Sequence, residues 1–308
     1  MTRAVVFAYH NVGVRCLKVL LAQGVELALI VTHEDNPHEQ IWFESVARTA
    51  AEYDIGTITP VDCNAAEVVA RVAATQPDFL FSFYYRQMLD APLLAAPARG
   101  ALNMHGSLLP QYRGRVPVNW AIIHGETKTG ATLHYMTDKP DNGDIVAQMA
   151  VPILSDDTAK DVFDKVTVAA ELTLHGVLPA LIAGTAPRIP QQQSQASYFG
   201  GRKPEDGSID WAKSATEIHN LVRAVAPPYP GARTMLNGET ARVLKTRVFD
   251  AQSRPARPPL LTMVGDRIVA HCGGGGTLAV LELEIAGHPV SSRAFAERYA
   301  RSGVALPV

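Results

Sequence analysis

The chain opens on a continuous apolar run, AVVFAYH (4–10), and similar runs recur as VELALIVTH from Val25, FLFSFYY from Phe79 and GALNMHG from Gly100. Between them, apolar residues return every three or four positions. This holds in VRCLKVLLAQG, which closes on Gly24, in IWFESVARTAAEYD and in AAEVVARVAATQ. Strands that are apolar throughout are covered on both faces, as in a parallel sheet flanked by helices. The alternation therefore predicts an α/β unit, a Rossmann-like doubly wound sheet that is mostly parallel.

Further along, GATLHYMT and GDIVAQMAVPI bracket the polar turn DKPDNG, and a long helical pattern follows from Thr158 to Gly184. The stretch after it, TAPRIPQQQSQASYFGGRKPEDGSIDW, is rich in Gln, Gly and Pro and reads as a connection between domains. Beyond a helical segment, ATEIHNLVRAVA, come shorter apolar runs with Gly-containing turns: ARVLKTRVF, DRIVAHC and LAVLELEIAG. They predict a second, smaller, β-rich and barrel-like domain. The expected division is 1–188 for the first domain, 189–204 for a linker and 205–308 for the second. The Gly273–Gly276 run reads as a hairpin turn, since neither a Lys-Ser/Thr pair nor a helix follows it.

Composition narrows the function classes. With 308 residues, 47% of them apolar, the chain has material for a full core in each of two domains. The net charge of −2 and the pI near 6.6 speak against a large nucleic-acid partner, which more often meets a basic surface. Cys16, Cys63 and Cys272 lie far apart, so no disulfide framework and no metal site is expected. The start, MTRAVVFAYH, has no leader-like pattern, and no apolar run is read as long enough to span a bilayer. The expectation is a cytoplasmic protein with no membrane association; the pattern favours no oligomeric state.

Candidate chemistry concentrates at the end of the fourth strand. In a doubly wound sheet, ligands bind beyond the carboxyl ends of the strands. Asn103 and His105 stand two apart, so they share one face there. An amide offers a donor, and an imidazole is an acid or base near neutral pH. Asp141, in PDNGD, would orient the imidazole and favour its charged form. Such a set suits acyl transfer without a covalent enzyme intermediate. The residues alone leave other readings open. His105 also suits a hydrogen-bonded strand end, Asp141 an ordinary turn residue, and Arg113 and Arg115 solvated loop charges.

NMHGSLLPQYRGRVPVNWAIIHGE, followed by TGATLHYMTDKPDNGDIVAQ, resembles the 10-formyltetrahydrofolate-dependent formyltransferase family. The family's Asn-x-His pair and distant Asp fall on Asn103, His105 and Asp141, and its SLLP loop on Ser107–Pro110. The resemblance is strongest to the formyltransferase domain of bifunctional polymyxin-resistance enzymes, which N-formylates UDP-4-amino-4-deoxy-L-arabinose in lipid A modification. It extends through VVFAYHNVG, THEDNP, SVARTAAE, FSFYYR, YFGGRKPEDGSIDW and NLVRAVAPPYPGA and fades towards the C-terminus. It implies a catalytic first domain, 10-formyltetrahydrofolate as co-substrate and a sugar nucleotide as acceptor. Folate contacts are implied at Gln87, Met88 and Leu89, at Arg115, and along the turn Thr137, Asp138, Lys139, Pro140 and Asp141. His105 and Asn103 would stabilise a tetrahedral oxyanion, while Asp141 would support a charged His105 and assist proton transfer. Because the chain ends at Val308, the dehydrogenase/decarboxylase of the bifunctional enzymes is expected on another polypeptide or not at all.

A methionyl-tRNA formyltransferase is the nearest alternative. Those enzymes carry Gly-Thr-Pro in the first loop and a basic insertion after the second strand. Here the first loop reads AYHNVG, and THEDNPHEQIW holds Glu34, Asp35 and Glu39 with no Lys or Arg. Phosphate recognition needs cations. A non-catalytic folate- or nucleotide-binding regulator would keep the fold without the chemistry. A dinucleotide oxidoreductase lacks support, because the first loop has no G-x-G-x-x-G.

Overall fold

A computed structural model of the chain describes residues 1–256, 258–299 and 303–307. It consists of two compact units. The first comprises Met1–Pro117, Lys128–Val151 and Phe163–Gly200; the second comprises Val118–Thr127, Pro152–Val162 and Gly201–Val308. The division is thus not a single cut along the chain. Segments 118–127 and 152–162 fold with the second unit. Residues 189–200, which the pattern suggested as linker, fold with the first.

In chain order the elements are β1 (Arg3–Ala8), α1 (His10–Ala22), β2 (Glu26–Val31), α2 (Val46–Ala51), β3 (Thr57–Ile58), α3 (Ala66–Ala74), β4 (Phe79–Phe83), α4 (Ala91–Leu94), β5 (Ala101–His105), β6 (Arg113–Gly114), α5 (Pro117–Ile123), β7 (Lys128–Tyr135), β8 (Ile145–Pro152), α6 (Ala159–Ala183) and β9 (Tyr198–Phe199). The main sheet has the order β3-β2-β1-β4-β5-β7-β8. Pairings among β1 to β5 are parallel, and β7 runs antiparallel to β5. Val5, Phe7, Leu29, Val31 and Leu80 are buried within it, as continuous apolar strands require. The order in which strands are added reverses between β1 and β4, the switch point at which such sheets bind ligands.

IWFESVARTAAEYD yields only the short α2. Ser45 caps it by accepting from the Arg48 amide, so the helix starts there. Phe43, just before the cap, stacks on His10 at 4.0 Å instead of continuing a helical face.

The 25-residue α6 corrects one reading of the sequence: by length and composition it is apolar enough to cross a bilayer. Its arrangement accounts for most of that composition, with Val168 and Leu172 left exposed. Val162, Phe163, Val166, Ala169, Ala170, Leu174, Leu178 and Leu181 are buried and recur at helical spacing, while Asp161 and Asp164 are exposed. That is the stripe of a core helix.

The second unit carries α7 (Ala215–Val225), then β10 (Ala232–Leu236), β11 (Glu239–Asp250), β12 (Leu260–Val264), β13 (Arg267–His271), β14 (Thr277–Ile285), β15 (His288–Pro289), α8 (Ser292–Tyr299) and β16 (Val304–Ala305). Its antiparallel half-barrel sheet runs β10-β11-β14-β13-β12-β16. Ser214 and Glu217 form a capping box on α7. Trp211 is fully buried and donates from Nε1 to Thr234 Oγ1 at 2.8 Å. The Gly273–Gly276 run joins β13 to β14, as its hairpin reading anticipated.

Candidate active site

The antiparallel pairing of β5 with β7 sets Asn103 opposite His134 and His105 opposite Thr132. The hairpin connection from β7 to β8 then brings Asp141 back over this strand end. Its carboxylate is nearly buried, with the side chain 11% exposed, and is ringed by donors. Oδ1 lies 3.5 Å from His105 Nδ1, 3.4 Å from His134 Nε2 and 3.4 Å from Asn103 Nδ2. Oδ2 accepts the Gly114 amide at 2.8 Å. The structure thus brings Asn103, His105 and Asp141 together, and adds His134.

Burial works against ionisation of Asp141. The neighbouring His105, the hydrogen bond and charge of His134 and the Gly114 amide outweigh it and hold the carboxyl well below the usual carboxylate range. The imidazoles are oriented by main chain. His105 Nε2 meets the Tyr112 carbonyl at 2.7 Å, and His134 Nδ1 meets the Tyr135 carbonyl at 2.8 Å. A carbonyl only accepts, so each of these nitrogens carries a proton. That leaves His105 Nδ1 turned to Asp141. Asn103 Nδ2 lies 3.2 Å from His134 Nε2 and donates to Asp141 Oδ1 at 3.4 Å.

Asp141 itself has φ +51°, and two residues on, Gly143 lies where any Cβ would overlap the Tyr135 carbonyl. The turn is held from outside by Gln191. Its Nε2 donates to the carbonyls of Asp141 and Gly143 at 2.9 and 2.7 Å. Its Oε1 accepts from Arg113 Nη2 at 2.6 Å and from Arg113 Nε at 3.2 Å. Burial pushes the Arg113 guanidinium down from its ordinary value, against the pull of Asp141.

The residues implied as folate contacts are spread more unevenly. Gln87 spends its amide on the neighbouring loop, accepting from the Cys63 amide at 2.9 Å and donating to the Val61 carbonyl at 2.8 Å. Leu89 is in the core, whereas the Met88 side chain is 55% exposed. Arg115 is exposed, with its amide donating to the Phe199 carbonyl at 2.9 Å. Thr137, Asp138 and Lys139 are exposed along the turn, where Thr137 Oγ1 donates to the Lys139 carbonyl at 3.0 Å. Pro140 and Lys139 also line an open cavity of about 540 Å³ with Arg113, Asn142, Gln193 and Tyr198; Asn103, His105 and Asp141 do not line it. Among the described residues no cluster of His, Cys, Asp and Glu could hold a metal ion.

His134 and Gln191 were not singled out in the sequence. His134 lies mid-strand in GATLHYM, and only cross-strand pairing puts it beside Asn103. Gln191 opens the QQQ of a segment whose composition reads as linker.

A family model described as formyl transferase matches residues 12–178, and one described as formyl transferase, C-terminal domain, matches residues 202–300. Among solved structures, the chain is similar to an N-formyltransferase from Helicobacter canadensis in complex with folinic acid and dTDP-3-aminofucose. The TM-score is 0.74 at 19% identity, covering 91% of this chain and 99% of that one. WlaRD, a sugar 3N-formyl transferase solved in the presence of dTDP and 5-N-formyl-THF, gives 0.70 at 19% identity over 93% and 98%. A 4-N formyltransferase from Francisella tularensis gives 0.61 at 23% identity over 75% and 91%. At these identities the structural likeness is one of fold.

Proposed function

Since the chain belongs to the formyl transferase family, we propose that it moves a formyl group from 10-formyltetrahydrofolate to the amine of a UDP-4-amino sugar, foremost UDP-4-amino-4-deoxy-L-arabinose. The observation that carries the reading is the buried, ionised Asp141 gathered with Asn103, His105 and His134 at one strand end. In the proposed reaction the amine lone pair attacks the formyl carbon. Asn103 and the His105 imidazolium stabilise the oxyanion. The bond from the formyl carbon to the folate nitrogen then breaks, that nitrogen gains a proton and the new amide nitrogen loses one. His105 Nδ1 faces the Asp141 carboxylate at 3.5 Å, which orients the ring for its role at the oxyanion. Met88, Arg115 and the turn residues Thr137, Asp138 and Lys139 are the exposed groups offered to the folate.

The acceptor assignment is supported by charge and by resemblance. The loop after β2 holds Glu34, Asp35 and Glu39 and is poorly suited to an RNA backbone. Glu39 is moreover paired with Arg86, at 2.7 Å to each guanidinium terminus. Of the similar solved proteins, one N-formyltransferase holds dTDP-3-aminofucose, one is a sugar 3N-formyl transferase solved with dTDP and one is a 4-N formyltransferase. The test is a panel of UDP- and dTDP-linked 3- and 4-amino sugars against charged initiator tRNA, comparing kcat/KM at one salt concentration. The expected order puts a UDP-4-amino sugar first. A higher value for the tRNA overturns the acceptor, and no transfer to any of them overturns the reaction.

A further inference from the structure

Asp141 makes its contacts to Asn103, His105 and His134 at 3.4 to 3.5 Å, too long for any of them to fix where the carboxylate sits. The Tyr135 amide closes the turn on the Asp144 carbonyl at 2.9 Å, but the short bonds at Asp141 itself are from Gln191 to its carbonyl and from the Gly114 amide to its carboxylate. Gln191 is only 8% exposed, and both ends of its amide are used. On one side it donates to the carbonyls of Asp141 and Gly143. On the other it accepts from Arg113, the neighbour of Gly114. The bonds close a ring from Gln191 through Arg113 and Gly114 to the Asp141 carboxylate, and back through the Asp141 carbonyl. We infer that Gln191 is a positioning residue for formyl transfer, which sets the Asp141 carboxylate against His105 and Asn103 by holding the main chain of its turn. Without that amide two carbonyls lose their shared donor, and a residue at φ +51° loses the side-chain bond to its own carbonyl.

This inference rests on the formyl-transfer reading, and two arms separate them. The first is a double-mutant cycle on kcat. Gln191→Leu should lower kcat by about 10-fold or more in the native background, as small misplacements of reacting groups do. In an Asp141→Asn background it should cost under about 2-fold, because a residue acting through Asp141 has nothing left to act on. Native kcat in Gln191→Leu, or losses that multiply in the double variant, overturns the inference; multiplied losses are what general loosening gives. If Gln191→Leu fails to fold, Gln191→Glu, which keeps the acceptor for Arg113 but not the donor to the carbonyls, should give the same loss of kcat and the same cycle, and native kcat in it overturns the inference. The second arm is amide exchange at Gly114, whose N–H is protected by the Asp141 carboxylate. Protection should fall in Gln191→Leu and Gln191→Glu, and unchanged protection overturns the inference. A native protein that transfers no formyl group sinks the proposed function, while the exchange arm still decides the clamp.

Discussion

The turn at 138–143 and the run Gly273–Gly276 each join strands of a sheet, and in each a glycine lets main chain meet main chain. A Cβ on Gly143 would overlap the Tyr135 carbonyl, and one on Gly274 would come within 2.5 Å of Lys213 and Ser214 backbone atoms. The closeness is used differently. In the glycine run it anchors a helix: Gly273 and Gly274 donate to the carbonyls of Trp211 and Lys213, and Gly275 accepts from Ala215 at the start of α7. In the other turn it directs a side chain, because the backbone that Gly143 permits is the one from which Asp141 reaches two imidazoles and an amide. Four glycines in a row carry packing, and one glycine carries the proposed chemistry. Close approach of backbone does not mark a site until it aims a charged group somewhere.

The sharpest break of this contrast is at the aimed groups. His105→Ala and Asp141→Ala should each lower kcat by about 10²-fold or more, with the fold retained, measured in the formyl-transfer assay. Near-native kcat in either would reduce the turn to ordinary packing. Asn103→Asp should come close behind. It preserves size but sets a second carboxylate about where Asp141 already stands, so turnover should fall by about 10-fold or more while folate affinity is largely kept. The glycines themselves give the direct comparison. Gly143→Ala should cost activity, and Gly274→Ala should cost about 1–3 kcal/mol of stability, read as a lower Tm, with kcat unchanged. Equal losses of kcat from both would erase the distinction. The smallest effect is in the pH dependence of stability. The Asp141 pKa is depressed in the folded protein, so its ionised form stabilises the fold above the unfolded carboxyl value, near 4. That contribution is lost as pH falls towards the folded value. The stability difference between the native protein and Asp141→Asn should stay flat from about pH 6 to 8 and shrink below about pH 4 in denaturant titrations.

Which parts were legible in sequence follows the range of the interactions. The strands of the first unit were readable because burial on both faces leaves an uninterrupted apolar run, and Asn103 and His105 because a strand repeats every two residues. Asp141 could be read as a carboxylate for His105, but its turn composition explains it equally well, and only the family resemblance chose between the two. The start of α2 was missed because one hydroxyl, Ser45, overrides a longer apolar pattern. The extent of α6 was readable, but its scattered charges obscure how apolar the helix is; most of its large apolar residues gather into one buried stripe, with Val168 and Leu172 exposed on the other face. His134 and Gln191 were illegible for a common reason. One is placed by pairing across strands, the other by side-chain bonds to carbonyls some fifty residues away. Neither leaves a local period. The segment around Gln191 shows the cost of reading composition as absence of structure, since Ile189 bridges to Ile145 and β9 pairs with β6.

The β5–β7 register also constrains the chain in length. Asn103 faces His134 because the strands pair at that offset, and Asp141 returns to them across a turn of fixed span. Adding or removing one residue within β7 would turn its remaining side chains to the opposite face of the sheet, and His134 with them. A change of length between Tyr135 and Asp141 would leave the strands paired but carry the carboxylate off its donors. Insertions there should therefore be silent in expression and folding yet abolish turnover, although every residue named in the site is still present. The hairpin tip at Gly265 and Asp266, exposed and with open space around Gly265, has no such measure to keep. A peptide tag placed there should leave the sheet of the first unit, and the spacing of its side chains, as it is.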